Sequence, residues 1–267
     1  MWHNLATLFK YRGLIQSLVA RDLKARYRGS VLGFFWSFVN PLLLLGVYSF
    51  VFATIMKGDP NDKTRPDPYA VFMFCGILPW TWFSASLLES ANSLISGGNL
   101  IKKVLFPAEV LPIVTVLANM VHFAFGLTIL AAFMVVYGHT PVAANLVWFP
   151  LIVVVQLILT LAFALMFASL TVHFRDIRDL LSNILTLWFF ATPIIYNYQD
   201  KAVSDYVRIF NPNPFFHLAV SYQESLFWGG PFGHWRWLLG LLAASVVFFL
   251  VAYWVFDRLR DSFAEVV

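Results

Sequence analysis

Glu89 is the one carboxylate close to membrane depth in a largely apolar chain, and Ser86, Ser93 and Ser96 extend its face at helical spacing. An ionisable group in that setting marks a pathway or an ion pair, or else reaches the headgroup region. Hydrolytic and metal chemistry have little to work with. The six histidines, at positions 3, 122, 139, 173, 217 and 234, offer no i, i+4 pair with a glutamate between, so neither a zinc hydrolase nor any other metal site is predicted. Asp176 and Asp179 stand beside Arg175 and Arg178 in a charged loop, not in a span. Glycines and lysines occur together from Gly97 to Lys103, but the Gly-Lys-Ser/Thr that cradles a nucleotide is missing. No catalytic residue and no bound cofactor are expected.

What remains is a surface that could dock a partner. Segment 99–112 is the only charged island between two long apolar blocks, with Lys102, Lys103 and Glu109 around Val104, Leu105 and Phe106, then Pro107. A loop that merely links two helices has no use for an oily centre. Leu105 and Phe106 would supply buried contact, and the charges would set orientation more than affinity.

The elements that must hold these residues follow from composition. Apolar residues make up 60% of the chain and charged ones 12%, against roughly 45–50% and about 25% in soluble domains. The chain is therefore predicted to be an all-α integral membrane protein with one transmembrane domain over residues 1–267. Spans are expected at 31–56, 69–95, 110–137, 146–172, 180–198 and 237–256. Within residues 212–232 the apolar piece Phe215 to Trp228 is too short to cross and is flanked by helix start and stop signals, which predicts short re-entrant outer helices. Within them Glu224 favours a wet setting. Segment 1–30 has no secretory-signal pattern, since basic residues precede any long apolar run. Instead Lys10, Arg21, Lys24 and Arg28 gather on one side of a helical wheel, with Leu14, Ile15, Leu18 and Val19 on another. Asp22 and Arg26 fall off that pattern. An interfacial helix on the inner leaflet is expected, with a solvated basic tail as the alternative.

Orientation follows from the basic residues. With the amino terminus inside and six spans, 12 of the 18 Lys and Arg residues are cytoplasmic. Both termini are therefore expected inside, and the net charge of +4 needs no nucleic acid to explain it. Aromatic clusters within spans, Phe34, Phe35, Trp36 and Phe38 in the first and Trp188 with Tyr196 in the fifth, could stack on sugars in a pore or face lipid. The lone cysteine, Cys75, reads as a core residue.

The run from Arg21 to Gly33 with Trp36 and Asn40-Pro41-Leu42 resembles the start of type-2 ABC transporter permeases that export polysaccharides. Residues 100–107 with Leu111-Pro112, His173 to Ile177, and Asn211-Pro212 to Tyr222 are similar to the same family. The resemblance implies a homodimer in the inner membrane, paired with two copies of a separate ATPase that binds ATP and Mg. It implies that 99–112 is the coupling element, with Arg175, Asp176 and Arg178 in the other inner loop near enough to share the contact. Phe215, Phe216, Tyr222 and Glu224 would belong to the outer gate. The implied cargo is a lipid-linked glycan such as O-antigen, a capsular polymer or teichoic acid. A smaller hydrophobic cargo and a membrane enzyme acting on lipid-linked sugars are the alternatives.

Overall fold

The computed structural model describes residues 11–26, 28–48, 50–51, 66–102, 106–174, 176–200 and 207–266. Among these residues there are helices and no strands. In chain order they are α1 Arg12–Arg26, a 3-10 turn Gly33–Phe35, α2 Trp36–Tyr48, α3 Tyr69–Ser96, α4 Gly98–Ile101 and α5 Val110–Val136. After them come α6 Ala143–Leu146, α7 Phe149–His173, α8 Ile177–Phe190, α9 Val207–Phe210, α10 Pro214–Leu226 and α11 Trp235–Val266.

Backbone in lipid must pair internally, so long apolar runs become helices. Among the described residues four stretches are long and apolar enough to cross a bilayer: Tyr69–Ser96, Val110–Val136, Ala143–His173 and Trp235–Phe263. The other two expected spans are met by shorter described helices: α2, of 13 residues, within the first, and α8, of 14, within the fifth. At 1.5 Å per residue each covers about 20 Å of a hydrocarbon layer about 30 Å thick. Pro193 explains the early end of α8, because it has no amide to donate and disfavours helical backbone at Thr192.

At the centre stands α3, with Val71, Phe72, Met73, Phe74, Phe83, Leu87 and Ala91 fully buried. Packed around it are α5, α7, α8 and α10. Bare glycines permit the closest approaches: a Cβ on Gly126 would meet Leu78 at 2.4 Å, and one on Gly76 would meet Ile194 at 3.1 Å. Polar side chains fasten helix to helix, as Gln156 Nε2 donates to Pro79 O (2.8 Å) and Trp82 Nε1 to Val116 O (3.1 Å).

The short helix expected within 212–232 is α10. Asn213 caps it, its side chain accepting from Phe215 N at 2.9 Å, and Pro214 occupies the first turn, where a missing amide costs nothing. Two smaller cores lie at the other end of the bundle. In one, Tyr253, Phe256 and Phe263 of α11 meet Leu94, Ala108, Leu165, Ala168 and Val172. In the other, Leu18 of α1 packs on Val110 and Val114 of α5, with Leu14, Ile15, Val19 and Phe106 around it.

Gly97 joins α3 to α4, and a Cβ there would meet Leu111 at 2.4 Å and the carbonyl oxygen of Ser93 at 2.9 Å. Gly97→Ala is expected to destabilise the purified protein by about 1–3 kcal/mol. Thermal unfolding in detergent checks this, with Gly240→Ala as control, since nothing lies within 4 Å of that position.

Candidate functional site

Glu89 is paired. Arg26, in the last turn of α1, donates from Nη1 to Glu89 Oε1 (3.0 Å) and from Nη2 to Glu89 Oε2 (2.5 Å), a two-point contact. Its Nε donates to Asp22 Oδ2 at 2.9 Å, one helical turn back. Asn119 of α5 closes the ring, accepting from Arg26 Nη1 (3.1 Å) and donating to Glu89 Oε2 (2.8 Å). Burial works against the charge on Arg26, but Glu89 and then Asp22 outweigh it and raise the guanidinium pKa. Three elements, α1, α3 and α5, thus meet at one guanidinium. Two hollows flank it. One, of about 310 Å³, is lined mainly by apolar groups with Trp36, Asn40, Thr81 and His122. The other, of about 520 Å³, is lined by Arg21, Asn92, Ser96, Asn99 and Arg178.

The serine stripe is mostly spent within its own helix: Ser93 donates to Ser90 O (2.8 Å) and Ser96 to Ser93 O (3.2 Å). Ser86 Oγ is buried without a partner.

Segment 99–112 divides in two. Lys102 is exposed, while Lys103, Val104 and Leu105 lie outside the described residues, as does Arg175. From Phe106 onward the segment turns inward. Phe106 is half-buried beside the cluster of Leu18, Val110 and Val114, and Pro107, Ala108 and Glu109 are buried. Glu109, 4% exposed, has Arg260 Nη1 at 3.9 Å from its Oε1, so its contact is within this chain. Asp176 and Arg178 are exposed, as are Arg21, Lys24 and Arg28; Lys10 is outside the described residues.

The aromatic clusters separate. Phe35 and Trp36 are exposed, with Trp36 Nε1 donating to Ser30 Oγ at 3.0 Å, and the Phe34 side chain lies outside the described residues. Phe38 packs edge-on to Phe125, with 5.4 Å between ring centres. Trp188 packs against Trp80, Phe83 and Phe163 and donates to Asn213 Oδ1 at 2.6 Å. Tyr196 donates to Phe190 O at 3.3 Å.

At the far end of the bundle Phe215, Phe216 and Tyr222 are core residues of α10. Glu224 Oε2 accepts from the amides of Gly233 (2.8 Å) and His234 (2.9 Å), and Asn145 donates to the carbonyls of Glu224 (3.1 Å) and Gly230 (2.7 Å). His217 Nε2 lies 2.9 Å from Asn211 O, and its Nδ1 lies 2.9 Å from His234 Nε2. The carbonyl requires an N–H on His217 Nε2, which leaves Nδ1 to accept from His234. Trp237 stacks on His217 at 4.6 Å. Burial and the neighbouring His217 push His234 down to about 4. Burial also lowers His217, against the pull of the Asn211 carbonyl.

Sequence reasoning missed Asn119 and the paired histidines, whose partners are distant in sequence. For Arg26 a signal existed, because Arg26 and Asp22 break the amphipathic pattern together at i, i+4 spacing.

Long apolar helices with their charges gathered near the ends define a multi-pass membrane protein. The chain belongs to the ABC-2 type transporter family, which matches residues 13–227. It is 40% identical over 262 residues to the O-antigen export system permease protein RfbA of Myxococcus xanthus, covering 97% of this chain and 96% of that one. It is 33% identical over 269 residues to the O-antigen export system permease protein RfbA of Klebsiella pneumoniae, covering 100% and 98%. The chain is therefore a permease, the transport subunit of an ABC transporter, and its ATPase is a separate partner subunit.

Two outcomes follow from this geometry. In a double-mutant cycle of Arg26→Ala and Glu89→Ala, thermal unfolding is expected to return a coupling of about 1 kcal/mol, the Glu89 side chain being 41% exposed. Stability is also expected to fall as pH drops from 7 to 4.5. An unfolded histidine binds its proton near pH 6.5, whereas folded His234 resists it down to about 4. The loss over this range is about 2 kcal/mol for His234 alone. Glu224 works the other way, because burial raises its pKa and acid then favours the fold. Comparing melting curves of wild type and His234→Gln across this range isolates the histidine, and the variant should show the flatter profile.

Proposed function

We propose that the chain is the permease of an ATP-driven exporter that moves a lipid-linked polysaccharide of O-antigen type across the inner membrane. The carrying observation is the identity of 40% and 33% to export permeases over almost the full length of each chain. A capsular polymer or teichoic acid would need the same machinery.

In this reading α2 and α8 complete six crossings, and both termini are cytoplasmic, as the excess of Lys and Arg favours. Two copies form the working unit. Supporting that, α2 and α8 carry exposed apolar residues, Leu43 and Val47 on one and Leu180, Ile184 and Leu187 on the other. A pore between copies would set Phe35, Trp36 and the α8 aromatics beside the sugar chain. Aromatic faces hold such a chain by broad, nondirectional contact, so it can slide.

Segment 99–112 seats the ATPase, with Lys102, Lys103 and Leu105 available to it and Asp176 and Arg178 beside them. ATP closes the ATPase dimer, and each seated loop moves as a rigid body with the helices it joins. Because Phe106 packs beside the cluster in which Leu18 of α1 meets Val110 and Val114, that motion would carry α1 along, and α1 would ride on the inner leaflet by its basic face. At the outer side α10, pinned by the Asn213 and Glu224 contacts, would help to close the path.

Leu105→Asp is expected to leave the permease in the membrane and abolish co-purification of the ATPase; undiminished recovery would refute the seat. Deletion of the permease is expected to make undecaprenyl-linked glycan accumulate inside the cell. Unchanged glycan pools would contradict the cargo.

A further inference from the structure

Glu109 is the one acidic side chain buried among the described residues, and neither of the usual reasons for such a group applies to it. It precedes α5 at the capping position but makes no capping bond. Nor is it well paired, since Oε1 stands 3.9 Å from Arg260 Nη1 and Oε2 has no partner. A well-packed apolar residue would serve stability as well or better. What a carboxylate adds at this point is an electrostatic tie between two elements.

Those elements are the inward half of segment 99–112 and the end of α11. The tie does not act alone: Ala108 is buried with Phe256 and Phe263 of α11 and with Val172 of α7. His173, at the end of α7, lies 3.0 Å from Ser262 Oγ, so the loop that follows α7 is fastened to the same stretch of α11. One helix end thus holds both inner loops. Since α11 is a single uninterrupted helix of 32 residues, a displacement at Arg260 is carried along its whole length.

We propose that Glu109 is a positioning residue which, through Arg260, makes the end of α11 a strut between the ATPase-seating loop and the last span. This rests on the reading of 99–112 as that seat. The strut transmits movement and does not hold the ATPase, so removing it should uncouple hydrolysis from export.

The test uses the complete complex of permease and ATPase in proteoliposomes holding undecaprenyl-linked O-polysaccharide. Glycan exported and ATP hydrolysed are measured for wild type, Glu109→Gln, Arg260→Gln and Arg260→Lys. Arg260 is 37% exposed, so its substitution leaves packing intact even if Glu109→Gln does not. The ATPase should remain bound and hydrolysis stay within about twofold, while glycan moved per ATP falls at least about fivefold, the low end of site-to-site coupling. Arg260→Lys, which keeps the charge, should recover most of it. A proportional fall in hydrolysis and export, an unchanged ratio, or loss of the ATPase from Arg260→Gln would overturn the strut. Leu105→Asp measured in parallel reads the seat alone, so failure of the seat and failure of the strut are told apart.

Discussion

The burial of α3 is the constraint on which the rest of the bundle depends. Residues 70–80 of α3 are buried without a break, so other elements must close around that stretch on every side. Val71 to Phe74 are fully buried, so even four consecutive residues, which point in four directions, all meet protein. This requires α5, α7, α8 and α10 to close on one post. It also explains why the approaches at Gly76 and Gly126 are so tight. In lipid there is no hydrophobic gain in pressing one apolar helix on another, and association rests on close packing and on hydrogen bonds such as that from Gln156 to Pro79 O.

With α3 fixed, its two ends become anchor points of different character. The end near Glu89 is held by charge: α1 is attached through Arg26, and Asn119 brings α5 into the same contact. The opposite end is held by aromatic packing, with Phe72 against Phe227 and Trp228. Ion pairs that remain partly open to solvent are individually weak, so the charged end is the one a partner can rearrange at modest cost. Packed aromatics resist that, because each displaced ring forfeits its contacts. The bundle is thus softer where α1 and segment 99–112 meet than where α10 is wedged in.

Much of this was legible in the residue order. Helices at 69–95 and 110–137 were expected from apolar length, and Tyr69–Ser96 and Val110–Val136 are found there within a residue. Asn213-Pro214 announced α10, because cap and first-turn preferences are local. The shorter helix at 180–198 has a local cause too: the apolar run continues through Ile194 and Ile195, but Pro193 ends the helix before them. Pairing across the chain was not legible. Nothing near Glu89 in sequence points to Arg26, 63 residues away, and nothing near His217 points to His234. Glu109 read as one of the charges of a docking loop because it shares segment 99–112 with Lys102 and Lys103. Only the position of α11 reveals that it faces inward.

Family membership and full-length likeness to O-antigen export permeases converge on one central claim: ATP hydrolysed by a partner moves a lipid-linked glycan through this chain. The most direct measurement is ATP-dependent translocation in proteoliposomes containing only the permease, its ATPase and undecaprenyl-linked O-polysaccharide. Glycan reaching the opposite leaflet should appear with ATP and be absent with a non-hydrolysable analogue or without the permease. Translocation that is equal with and without ATP would contradict it.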